Sequence, residues 1–145
     1  MATPSVRIVP VTSRHEVRDL VMFPFRLYRD DPNWVPPLIG DRMRHFDPAV
    51  NPFYQHAEVQ LFRALRDGQT VGTIAAIADE THPQIWGEPV GFFGEFEAIR
   101  DQEVANALFD AARDWLASRG RQIMRGPMNM NINEEIGTLV DGYDG

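Results

Sequence analysis

Residues 90–127 constrain this chain more than any other stretch. Residues 90–99 read as a strand, Arg100-Asp101 as a tight turn, residues 102–118 as a long helix and residues 122–125 as a second, short strand that ends at Gly126-Pro127. A strand, a crossover helix and a second strand make a βαβ unit, whose connection is right-handed and therefore leaves few topologies open. In the helix, Val104, Ala105, Leu108, Phe109, Ala112, Trp115 and Leu116 recur at the spacing of one buried face. Glu103, Asn106, Asp110, Arg113 and Asp114 fill the wet face. Asp101 has the side chain of an N-cap, and Gly120 supplies the left-handed residue that stops a helix.

Strict alternation along residues 90–99 places Val90, Phe92, Phe96 and Ala98 on one face and Phe93, Glu95, Glu97 and Ile99 on the other. Glu95 and Glu97 are then roughly 7 Å apart, two residues along one strand. Two such carboxylates are candidates for general-base work, which requires partial desolvation, and Phe93 and Ile99 would flank them for that purpose. The alternative is that both face water or pair with arginines such as Arg121 or Arg125 on the neighbouring strand.

The rest of the chain is read around this unit. Residues 5–11 alternate as a short strand with Pro10 marking an edge. Ser13-Arg-His-Glu16 has capping-box spacing and opens a helix carrying Val17, Leu20 and Val21, which Pro24 should kink or restart. Residues 30–38 hold three prolines and an asparagine, so they form an irregular loop that Trp34 anchors. Residues 41–46 suit one or two helical turns capped by Asp41, before a second aromatic-pinned loop through Asn51-Pro-Phe-Tyr54. A connection of this length suits a binding loop or lid, or else a packed structural wrap. Residues 58–65 and 69–78 form a hairpin through Arg66-Asp-Gly68. The second of these strands is almost wholly apolar and should be central. Residues 79–88 read as loop. Hairpin plus crossover predicts an α/β (α+β) domain with a mixed, mostly antiparallel sheet and helices on both faces.

Composition narrows the chemistry. There is no cysteine, which excludes thiolate nucleophiles and thiolate metal sites. All 14 basic residues are arginine, which excludes a lysine Schiff base. The net charge of −7 argues against a nucleic-acid partner. His15, His45, His56 and His82 are scattered without ligand spacing, so no metal site is expected. No run of about 18 apolar residues suggests a membrane helix. The N-terminus lacks a secretory pattern, which fits cytoplasmic residence.

The element order, taken together at residues 90–127, resembles the GNAT fold of acyl-CoA-dependent N-acyltransferases. Asp31-Pro-Asn-Trp-Val-Pro-Pro-Leu, Asn51-Pro-Phe-Tyr, Gly91-Phe-Phe-Gly-Glu-Phe-Glu, Arg125-Gly-Pro-Met-Asn and Gly137-Thr-Leu-Val-Asp-Gly-Tyr-Asp are similar to the N-terminal part of one group of such proteins. The resemblance implies a single GNAT-like domain over residues 1–145, stopping before the last strands of a complete sheet and open to completion by a second copy. It implies transfer of an acyl group from acyl-CoA or acetyl-CoA to an amine of a small molecule or peptide, with Glu95 or Glu97 as base. The cofactor would lie against Ala98, Ile99 and Arg100, with the amides of Asn129 and Asn131 on its pantetheine arm unless they only satisfy turns. Tyr143 would be a candidate general acid. One departure stands out. The strand-to-helix turn, Ile99-Arg-Asp-Gln-Glu-Val104, has no glycine and carries Asp101 and Glu103 where a phosphate would meet the helix start. That turn favours a second expectation, a binding or interaction domain that keeps the fold without the cofactor.

Overall fold

The computed structural model describes residues 5–130 and Gly137. Five strands form one sheet in the order β1 (Arg7–Pro10), β2 (Ala57–Arg66), β3 (Gln69–Asp79), β4 (Val90–Ala98), β5 (Ile123–Arg125). Neighbours are antiparallel except β4 and β5, which pair in parallel across α4 (Gln102–Ser118). The sheet is mixed and mostly antiparallel, as the hairpin and crossover predict. The hairpin turn is Asp67-Gly68 with both residues at positive φ, the geometry that matches the twist of the flanking strands.

Helices cover both faces, and each face has its own core. On one, Val104, Leu108, Ala112 and Leu116 of α4 pack on Phe62, Ala64, Ile74, Ala76 and Ala78. On the other, Leu20 and Val21 of α1 (Arg14–Leu27) join Phe46, Phe53, Leu61, Ala75, Ile77, Val90 and Phe92. β3 feeds both cores because alternate residues point opposite ways, which is why nearly all of it is apolar.

Local structure departs from expectation in three places. α1 runs through Pro24 to Leu27, and the Tyr28 N–H still reaches the Pro24 carbonyl at 2.9 Å. A proline so near the helix end removes one bond from a ladder that is about to stop. α2 spans Ile39–His45 and is preceded by Leu38 without a side-chain cap, so Asp41 lies inside its first turn. Residues 79–88 contain a short helix, α3 (Thr81–Trp86), closed by Gly87 at φ 68°. Its two turns are too brief to leave a periodic signal in sequence. Trp86, the last residue of this helix, is 69% exposed. Among the described residues no helix is long and apolar enough to cross a membrane.

Candidate active-site cleft

β4 does not alternate to its end. Thr73 pairs with Glu97 and Ala75 with Gly94, so two steps on β3 oppose three on β4 and one residue is extra. This bulge sits at Glu95, whose φ of 50° is in the left-handed region. Such a conformation is uncommon for a side-chain-bearing residue and is held by its surroundings. The Glu95 N–H donates to Asn129 Oδ1 at 2.8 Å, and the Glu95 carbonyl accepts from the Thr73 hydroxyl at 2.8 Å. Thr73 is itself almost wholly buried.

The bulge reverses the facing of Phe96, Glu97 and Ala98. Phe93 and Phe96 both pack on Phe109 of α4, and Ala98 and Ile99 join the same core. Val90 and Phe92 belong to the opposite core. The expected grouping of Phe96 and Ala98 with Val90 and Phe92 is therefore wrong, because an inserted residue shifts the two-residue period by one. Phe93 and Ile99 do not flank the carboxylates. Glu95 and Glu97 instead face α1 and α2.

There both find partners that no local pattern announces. Arg42 of α2 makes an ion pair with Glu95, whose side chain is only 9% exposed, and His45 Nε2 lies 3.8 Å from the other carboxylate oxygen. The Tyr28 hydroxyl, at the C-cap of α1, donates to Glu97 Oε2. Neither glutamate pairs with the arginines proposed for it: Arg121 bonds the Asp79 and Val90 carbonyls, and Arg125 lies 3.7 Å from Glu88. Trp34 does anchor its loop, edge-on to Phe25 and tilted over Tyr28 with ring centroids 5.5 Å apart.

These groups line a cleft of about 640 Å³ between β4, the end of α1 and residues 31–37, with Asp31, Asn33, Val35, Pro37, Pro127 and Asn129 along its walls. The residues after β5 close tightly on its floor. The Met128 N–H donates to the Phe93 carbonyl at 2.8 Å, and a Cβ on Gly94 would collide with the Met128 carbonyl.

The remaining expected site residues separate into three groups. Asn129 is in the cleft, with its Oδ1 on the bulge. Asn131 and Tyr143 lie outside the described residues. Ala98, Ile99 and Arg100 lead into α4. Ala98 pairs with Gly72, the Ile99 N–H donates to the Val71 carbonyl at 3.0 Å, and Arg100 is exposed. Asp101 is the N-cap and accepts from the Glu103 N–H. A hydrogen bond from the Arg66 guanidinium holds the Asp101 carboxyl below its ordinary value, against some desolvation, and the Glu103 N–H adds to the effect. Arg66 also lies 3.7 Å from Glu103. The helix start thus already carries an anion with its counter-ion, and a pyrophosphate does not fit that seat without displacing Asp101.

No protein-family model matches this chain. It is 46% identical over 138 residues to a bacterial ceramide synthase of Caulobacter vibrioides, covering 94% of this chain and 36% of that protein. It is 42% identical over 132 residues to protein YghO of Escherichia coli, covering 91% of this chain and 34% of that one. The chain spans about a third of the length of these curated relatives. Among solved structures it is similar to a tandem GNAT protein from the clavulanic acid biosynthesis pathway (TM-score 0.60, 17% identity, 81% of this chain and 34% of that one). It is similar also to a predicted acetyltransferase with acetyl-CoA from Clostridium acetobutylicum (TM-score 0.58, 15% identity, 83% and 79%). A third is an aminoglycoside acetyltransferase from an uncultured soil metagenomic sample, in complex with sisomicin (TM-score 0.57, 11% identity, 83% and 75%). At these identities the likeness shows the fold, and that fold is the one the sequence resemblance implies.

Proposed function

We propose that this GNAT-fold chain carries the amine-binding part of an N-acyltransferase, which joins an acyl group from an acyl thioester such as acyl-CoA to the amine of an amphiphilic small molecule. The observation that carries this reading is the convergence of Glu95 and Glu97 on one cleft. A floor with two carboxylates attracts a cationic amine, and a base beside it makes the amine nucleophilic. The likeness to a ceramide synthase supports the acceptor class, since a ceramide is the amide of a fatty acid with a long-chain amino alcohol. So does the rim: Val35 of the cleft wall is 83% exposed and nearby Leu38 is 72% exposed, leaving apolar surface beside a charged floor. A peptide amine, the other acceptor in the expectation, would not use that rim.

The test is a transfer assay with palmitoyl-CoA and sphinganine, read as amide formed. Amide that is lost when Glu95 and Glu97 are both replaced by glutamine supports the reading. Amide formation unaffected by the double replacement, or none with any acyl-CoA, overturns it. A second reading, a domain that keeps the fold without binding a donor, is favoured by Asp101 at the start of α4. Calorimetric titration with acyl-CoA separates the two, because the second predicts no heat up to millimolar ligand.

A further inference from the structure

We infer that the loop of residues 32–40, at the mouth of the cleft, is a docking surface for a lipid bilayer, which it enters with Val35 and Leu38. The inference rests on the amphiphilic-amine reading above for its purpose, while its geometry stands on the loop alone. The contact is peripheral: a loop tip lies in the interface, in place of a helix spanning it.

Residues 32–40, Pro-Asn-Trp-Val-Pro-Pro-Leu-Ile-Gly, hold no charge, in a chain whose net charge is −7. Val35 and Leu38 are more exposed than any other large apolar side chain of the described residues. Side chains this open stand out from the surface and do not line a groove. Lipid closes around a protruding apolar tip without a preformed cavity, whereas a protein partner would have to present a pocket of matching shape. Pro36 and Pro37 between them have no N–H, so the tip carries no donor there that an apolar phase would leave unpaired. The base of the loop is held. Trp34 sits edge-on to Phe25 with ring centroids 5.2 Å apart, and the Asn33 N–H donates to Asp31 Oδ1 at 2.9 Å. A tip on a fixed base keeps its side chains outward and loses little freedom on docking. Asp31 and Asp41 bracket the uncharged run, and Arg44 is paired with Asp41. The tip thus offers nothing to an anionic headgroup, and the lipid it fits is zwitterionic.

The loop is continuous with the cleft. Trp34, Val35 and Pro37 line the same cavity as Glu95 and Glu97. Sinking the tip into lipid therefore brings the cleft mouth to headgroup level. An amphiphilic amine lies there with its chain in the hydrocarbon and its ammonium in the interface, so it enters the cleft without exposing its tail to water. The exposed apolar pair Ile85 and Trp86 is placed differently. It lies on α3, which joins the end of β3 to the start of β4. Thr73 in the cleft and Asp79 before α3 are six residues apart along β3, roughly 20 Å, so the two patches can be tested separately.

The test is flotation with phosphatidylcholine vesicles, comparing the wild-type protein with the double variant Val35→Ser/Leu38→Ser and with Trp86→Ser. No acyl donor or amine is present, so the result does not depend on transfer chemistry. The wild-type protein should float with the vesicles. The double variant should bind at least about tenfold more weakly, and Trp86→Ser within about twofold of wild type. All three should share one melting temperature, since the replaced side chains are mostly exposed. Added phosphatidylglycerol should not tighten binding, and added salt should not release the protein. The inference is overturned if the wild-type protein stays unbound up to millimolar lipid, or if the double variant binds as tightly as wild type. An equal loss in Trp86→Ser also overturns it, because any exposed apolar side chain would then serve. Binding that needs phosphatidylglycerol and vanishes with salt counts against it as attraction to charge alone. Self-association of the wild-type protein, abolished in the double variant and with no lipid binding, would give the tip to a second copy and end the proposal. Calorimetry with octylamine, without vesicles, reports separately on the amine-binding reading. A protein that binds octylamine and ignores vesicles keeps that reading and loses this one; a protein that binds vesicles and ignores octylamine does the reverse.

Discussion

Tyr54 shows how far the charge of the cleft floor reaches. Burial pushes its phenol up to about 12 from 10.0, and the charges of Glu95 and Asp47 add to the shift. A raised phenol favours the folded state while the group is neutral. Its contribution is complete below the unfolded value near 10 and is lost as pH climbs through the folded value. The melting temperature of the wild-type protein should therefore fall more steeply between pH 10 and 12 than that of Tyr54→Phe. Equal slopes in a calorimetric series would remove Tyr54 from the account. At this scale the sequence showed the actors without their partners. Glu95 and Glu97 are conspicuous as carboxylates in an apolar strand. Arg42 and Tyr28 are 53 and 69 residues away, and their own surroundings look like an ordinary polar loop and an ordinary helix end. Asp101 is the opposite case: a cap, its N–H partner and the next acidic residue are all neighbours in sequence, so that arrangement could be read directly.

At the scale of the element, the bulge in β4 decides the site. Without the extra residue, Glu95 and Glu97 would share a face with Phe93 and lie under α4, and Phe96 would enter the α1 core. The closeness of residues 126–129 to β4 demands a glycine at position 94. Gly94→Ala should destabilise the protein by about 2–3 kcal/mol, since backbone on the facing segment cannot move aside as a side chain can. Gly91→Ala first meets the Leu116 side chain and should be milder. Urea unfolding of both variants measures the difference, and a smaller effect at position 94 than at 91 would contradict this account of the cleft floor. The Gly91-Phe-Phe-Gly-Glu-Phe-Glu stretch contains both glycines, and nothing within it reveals that one faces a helix side chain and the other a carbonyl. The helix of the βαβ unit, in contrast, was legible almost residue by residue, because a buried stripe of period 3.6 is written in the helix itself.

At the scale of the whole molecule, two cores lie back to back across the sheet, and the one under α1 gives Leu20 and Val21 to the cleft wall. Leu108→Ala, at a wholly buried position on the inner face of α4, should cost about 2–5 kcal/mol of stability yet leave octylamine affinity within about twofold. Leu20 lines the cleft as well as the other core, so Leu20→Ala should disturb both quantities. Paired unfolding and titration experiments check this, and a loss of affinity in Leu108→Ala equal to that in Leu20→Ala would mean the two faces are not separate. The sequence by itself determined the order of the strands and of the two long helices, the mixed sheet, the hairpin with its Asp-Gly turn and the acidic start of α4. Each of these follows from residues close together in the chain, where propensity, capping and period act. Only the tertiary structure decided which way the glutamates face and what holds them. That outcome depends on one inserted residue in β4 and on the docking of α1 and α2, long-range packing to which no local pattern responds.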